Sequence, residues 1–235
     1  KGEELEKSRR KTYDAYKSYL HEIANINGGS LINDCIVIDN SMDFFRAILP
    51  VDSKENIKSW IKIAIKEIVK KGITGVHDAW QDLDTIEVIK ELIEEGEFPI
   101  RCYGMLGSSN TNLINNFFKQ GHYDTPYYNI RSVKAFIDGA LGSRGAALHE
   151  PYCDDKHNCG LILISNEAFQ QLAKDCDHYN FQLNTHAIGD RGNRYVLDCY
   201  GQHIQNNNNR RWRIEHAQMV SDKDLYKFKD YNILP

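Results

Sequence analysis

The chain has 235 residues, and its 29 basic and 33 acidic side chains leave a formal net charge of −4. A content of 41% hydrophobic and 26% charged residues is that of a folded globular protein and excludes a disordered one. Charge this close to balance, spread along the chain, argues against nucleic acid as a partner, and no apolar run approaches the roughly 20 residues that span a bilayer.

The six cysteines are scattered over a chain too long to need covalent staples, and no N-x-[ST] acceptor or signal-like apolar stretch occurs. A cytoplasmic protein is the expectation. The chain begins on a charged stretch at Lys1 and stops at Pro235 just after Tyr231-Asn232-Ile233-Leu234, which reads as a strand cut part-way and hence as a fragment.

Residues 1–51 read as an N-terminal helix and turn region capping or inserted over the domain that follows. Lys1 to Ile26 is a charged amphipathic segment, Asn27 to Ser30 a turn and Cys35 to Ile38 a short strand. From Asp52 onward, helix-period and strand-like segments alternate. Asp52-x-x-Glu55 resembles a capping box, and Ile57, Trp60, Ile61, Ala64, Ile65 and Ile68 recur on one helical face until Gly72. Ile73 to His77 then reads as a strand, Leu83 to Ile93 as a helix stopped by Gly96, and Pro99 to Leu106 as a strand. Leu113 to Lys119 is helical and Ile130 to Ile137 extended. Glu167 to His178 is again helical, and Phe181 to Ala187 extended. Gly192 to Ile204 is helical, Trp212 to Ala217 extended, and Ser221 to Lys229 helical behind Ser221-x-x-Asp224, with Ile233 and Leu234 opening a further strand.

About six strand–helix units in succession indicate a parallel α/β architecture over residues 52–235. A doubly wound sheet would show a glycine-rich phosphate loop after its first strand, and none is present. A β/α barrel instead gathers polar residues at the C-terminal ends of several strands, as His77-Asp78, Lys134 to Asp138, His186 and His216 do here. The fold expected is therefore an incomplete β/α barrel of the TIM type. Six units cannot close a ring of eight, and open strand edges invite pairing with another copy of the chain, so a homo-oligomer is a possible partner state. Gln205 to Asn209 is a polar loop. Arg210-Arg211-Trp212-Arg213 is basic and aromatic, but the strand that follows accounts for it better than nucleic-acid contact does.

Lys134, His186 and His216 each lie within or at the end of a predicted strand. Taken singly, a strand histidine is more often a hydrogen-bonded core residue, and a strand lysine a side chain reaching for water. Jointly they fit metal ligands on successive barrel strands, because neutral imidazole is a common metal donor and suits zinc. Next to them, Asp138 and Arg144 are candidates either to orient a substrate or to form a salt bridge with each other. His77 is a third candidate for the substrate side, near the barrel mouth. Asp190 is expected to cap the helix after His186.

Four ordered runs resemble the metal-dependent amidohydrolases. They are Gly72-Ile73-Thr74-Gly75-Val76-His77-Asp78-Ala79, Val133-Lys134-Ala135-Phe136-Ile137-Asp138-Gly139-Ala140-Leu141-Gly142-Ser143-Arg144, Thr185-His186-Ala187-Ile188-Gly189-Asp190 and Arg213-Ile214-Glu215-His216-Ala217-Gln218. The similarity is greatest to the amidohydrolase-3 branch, with its YtcJ-like and N-substituted formamide deformylase-like members. It implies a distorted β/α barrel lacking its first and last strands here, and one or two divalent metals, usually zinc. It further implies hydrolysis of non-peptide C–N bonds in small amide-type substrates by metal-activated hydroxide. On the same resemblance Lys134 matches a lysine that carbon dioxide carboxylates to bridge the metals, and His186 and His216 match histidine ligands of the next two strands. The family's His-x-His pair and its strand-eight aspartate have no counterpart in the chain, so this chain alone is expected to be inactive. The alternative is a catalytically silent relative that serves as a binding or assembly module.

Overall fold

The computed structural model describes residues 51–204 and 209–235. The expectations for residues 1–50, and the core of the polar run after Ile204, lie outside the described residues.

Helix α1 (Lys54–Lys70) opens on Ser53, whose hydroxyl accepts from Asn56 N at 3.3 Å. The cap is thus one residue later than the Asp52 capping box predicts. Its packed face is narrower than expected: Ile57, Ile61, Ile65 and Ile68 meet the core, while Trp60 stays 52% exposed. Gly72, at φ +74, takes the left-handed position after the helix, and Ile73 N reaches back to Ile68 O. Strand β1 (Gly75–Gln81) follows, then α2 (Leu83–Glu94), capped by Asp82 accepting from Thr85 N at 2.8 Å. Lys58 of α1 bridges to Glu91 of α2 and to Glu95 at its C-cap, fixing the two amphipathic helices side by side.

Strand β2 (Arg101–Gly107) leads to α3 (Thr111–Gln120), and a two-residue strand β3 (Tyr123–Asp124) turns back into β4 (Tyr128–Phe136). A long loop precedes α4 (Asn166–His178), β5 (Gln182–Ala187), α5 (Asp190–His203), β6 (Arg213–His216) and α6 (Leu225–Asp230). The strands pair in the order β1-β2-β4-β5-β6, all parallel, with β3 antiparallel to the start of β4. Leu234 forms a parallel bridge with Arg213, as the expected further strand would.

Consecutive parallel strands joined by helices put one apolar face of the sheet against those helices. Cys102, Leu106, Val133, Ala135, Leu183 and Ile214 form that face, packed on Phe117, Phe169, Val196 and Tyr200. Trp212 is fully buried and donates from its indole nitrogen to Phe181 O at 3.0 Å. The other face curls. Tyr103 of β2 donates to Gln182 of β5 at 2.6 Å although the two strands are not neighbours. Arg213 of β6 donates to His77 Nδ1 of β1 at 3.0 Å, joining the two ends of the strand order. Such contacts exist only if the sheet bends round its own inner face, so the fold is a curled, parallel half-barrel of the TIM kind.

Candidate functional site

Period-two alternation sets which side chains enter the concave face. On β4 it sends Ser132, Lys134 and Phe136 inward, and on β5 Gln182, Asn184 and His186. Lys134 is 3% exposed, donates to Ala135 O at 3.0 Å and carries its Nζ 3.6 Å from the centre of the Phe136 ring. Burial pushes its amine down to about 8, with Arg213 adding to the shift and Glu215 opposing it. The His186 ring lies 5.0 Å from Phe136 and 4.8 Å from His216, the latter nearly edge-on at 76°. Burial, with the Lys134 charge adding to it, lowers His186 to about 4, so the ring is neutral at neutral pH.

The folded His186 binds its proton less readily than an unfolded histidine. Stability is therefore expected to fall as pH drops from about 6.5 towards 4, with a slope of at most one proton. Urea midpoints across that window read the effect, and His186→Gln is expected to remove its share.

The two imidazoles meet near the ends of adjacent strands, and Lys134 lies over the Phe136 ring that also contacts His186. His216 is the last residue of β6 and is exposed. It takes φ +75 and Ala217 takes φ +39, two successive left-handed non-glycine residues where the chain leaves the strand.

Asp138 lies two residues beyond the end of β4 and is fully buried. Its carboxylate accepts from Ala147 N at 2.9 Å, Ile188 N at 2.9 Å and Gly189 N at 2.8 Å, and lies 3.5 Å from His186 Nε2. Asp138 thereby ties the long loop and the entry to α5 to the end of β4. A methyl at Gly192 would come 2.6 Å from the same carboxylate, which accounts for glycine there. The Asp138–Arg144 salt bridge is not formed. Arg144 instead makes a forked pair with Asp154 at 2.9 and 3.2 Å, exposed in the loop and remote from Asp138's burial. Asp190 is the first residue of α5, not its cap. Gly189 is the cap residue, and Asp190 accepts from His149 N at 3.0 Å.

His77 stands elsewhere. β1 runs on to Gln81, so His77 is its third residue, opposite Tyr103, which faces Asn129 five positions before Lys134. That places it towards the N-terminal ends of the strands and corrects its expected position near the mouth. Two aromatic residues escaped the sequence reading. Trp80 and Phe136 pack at 5.3 Å between centroids, and each keeps about two fifths of its surface exposed beside Lys134 and His186. The alternation that selects Lys134 selects Phe136 two residues on, a signal present in the sequence.

The donors suit a borderline divalent ion as far as they go: a neutral imidazole, a second imidazole against it, and an amine held partly unprotonated. Among the described residues no group of three or more His, Cys, Asp or Glu side chains is arranged to hold a metal ion, so these residues supply part of a coordination shell. No described helix is long and apolar enough to cross a membrane.

The chain resembles known proteins over most of its length. The chain is 26% identical over 210 residues to the Bacillus subtilis (strain 168) protein YtcJ, named as an amidohydrolase, a stretch covering 84% of this chain and 39% of that protein. It is 27% identical over 214 residues to the Arabidopsis thaliana protein LONG AFTER FAR-RED 3, covering 85% and 36%. The chain thus spans less than half the length of the curated relatives it matches. In fold it matches the crystal structure of an uncharacterized metal-dependent hydrolase from Pyrococcus furiosus, with a TM-score of 0.72 at 22% identity, covering 86% of this chain and 44% of that one. The model of the amidohydrolase family matches residues 36–234, and the chain belongs to that family, in its amidohydrolase-3 branch.

Proposed function

We propose that the chain is the part of a metal-dependent amidohydrolase that carries Lys134, His186 and His216 towards one or two divalent cations, zinc by donor chemistry. The reaction is hydrolysis of a non-peptide C–N bond in a small amide-type substrate. The observation that carries the reading is the contact between His186 and His216 at the ends of adjacent strands, one ring neutral, with a depressed lysine on the strand before them.

When bound, such a cation lowers the pKa of a water and polarises a carbonyl. The chain's own residues have separate tasks. His186 offers a lone pair because burial keeps it unprotonated. Lys134, with its amine lowered to about 8, is partly neutral at neutral pH. Its nitrogen can then bond to the carbon of carbon dioxide, the displaced proton leaving to solvent, and the resulting carbamate is an anionic oxygen donor. Asp138 holds the turn after His186 in register with the end of β4. Trp80 and Phe136 give the site an apolar wall.

Zinc titrated into the chelated protein is expected to bind with defined stoichiometry, and His186→Ala or His216→Ala to reduce the bound metal at least tenfold. Elemental analysis after gel filtration reads this, beside hydrolysis assays of the full-length protein on a panel of formamides, larger amides and cyclic amides. Full zinc occupancy in both variants would remove these residues from the ligand role.

A further inference from the structure

At the opposite ends of the strands lies a cavity of about 290 Å³ that the hydrolytic reading leaves unused. Arg131, Arg210, Arg211 and Arg213 line it, with His77 and Gln182. In a chain whose net charge is −4, four guanidiniums on one small cavity run against the average. Two of them have carboxylate partners: Arg210 meets Asp177 at 2.9 Å, and Arg213 meets Glu215 at 2.6 Å. Arg131 and Arg211 are exposed and have no carboxylate partner among the described residues. Two positive charges are left over.

The backbone is irregular at both of these arginines. Ile130 and Ser132 of β4 face consecutive residues of β2, Gly104 and Met105, so Arg131 is the extra residue of a bulge, a device that re-aims a side chain. Arg211 sits at φ +53, and Gln182 donates to its carbonyl. His77 Nδ1 accepts from Arg213, which leaves the proton of the neutral ring on Nε2, so the ring contributes a donor. A cavity lined by donors with two surplus charges has the chemistry of an anion site, and forked guanidiniums suit tetrahedral oxyanions approached from several sides.

We propose that this cavity binds a phosphate-class dianion, either free phosphate or the phosphate group of a small monoester. Arg213 and Gln182 are the first residues of β6 and β5, whereas His186 and His216 lie near or at the far ends. The anion site is therefore separate from the proposed metal site, and its failure would leave the hydrolytic reading untouched.

Calorimetric titration of inorganic phosphate into the full chain in low-salt buffer tests the assignment, with glycerol phosphate as the monoester arm and malonate as a dicarboxylate. The expected result is saturable binding of one phosphate with a Kd of about 1 mM or tighter. The double variant Arg131→Gln/Arg211→Gln is expected to bind roughly tenfold more weakly, and added salt to weaken the wild type. Lys119→Gln, at an exposed position of α3, should bind as the wild type does. Circular dichroism confirms that the double variant is folded, and each single variant is expected to show an intermediate loss. Tighter glycerol phosphate than phosphate would identify the monoester as the source. Absence of saturable heat by about 10 mM phosphate, equal affinity in the double variant, or tighter malonate would overturn the proposal.

Discussion

Asp138→Ala is expected to destabilise the protein by about 3–6 kcal/mol, because three buried backbone amides lose a charged acceptor at once. The donors come from two segments far apart in the chain, Ala147 in the long loop and Ile188-Gly189 ahead of α5, and both are held at the end of β4. No water reaches a carboxylate that is fully buried, so the amides cannot exchange one partner for another. The loss is comparable with the whole stability of many domains, and expression as inclusion bodies is one form the result can take. Asp138→Asn keeps one acceptor oxygen but turns an amide N–H towards a backbone N–H, and is expected to recover about half of the loss. Urea unfolding at unchanged m measures it. A change under about 1 kcal/mol for the alanine variant would mean that the amides find other acceptors.

Lys134→Met is expected to stabilise the metal-free protein at neutral pH by up to about 3 kcal/mol. The amine titrates near 8 in the fold against 10.5 when free, so below pH 8 the folded state carries a charge it holds at a disadvantage. Between 8 and 10.5 the unfolded chain binds more protons than the folded one. Wild-type stability therefore rises with pH across that window, and the gain from methionine shrinks towards zero by its upper end. The Phe136 face beneath Nζ offsets part of the penalty, which makes the figure an upper value. Parallel denaturation of both proteins at pH 7 and pH 10, in chelator and without carbon dioxide, gives the comparison. A wild-type stability that does not rise between the two would count against a buried, protonated lysine. In the hydrolytic reading, the same variant gives up the donor that the strained burial exists to provide.

The order of strands and helices was legible because each element repeats its own period: isoleucines at helical spacing in α1 and α2, then β-branched runs closed by glycine. The heads of Lys134 and His186 were legible for the same reason, since each sits in a short apolar strand where alternation fixes the face. Boundaries were less so. β1 begins two residues later than expected and extends to Gln81 through a bulge between Asp78 and Gln81, where polar residues interrupt the alternation. β3 has two residues, too few for any period to show, and rests on Asn129 donating to Asp124 and on a turn closed by Thr125. The partner of Arg144 was not readable, because a loop has no period to say which of its acids comes round to meet it.

The carboxylate of Asp138 also sets a rule for how the fold breathes. Local opening of the long loop alone, or of the turn before α5 alone, would strand part of the same buried anion, so neither segment can fray independently at low cost. The backbone protons of Ala147, Ile188 and Gly189 should accordingly trade with deuterium at one common rate, as members of a single cooperative unit. A switch that loosened this one side chain would release both walls of the mouth together.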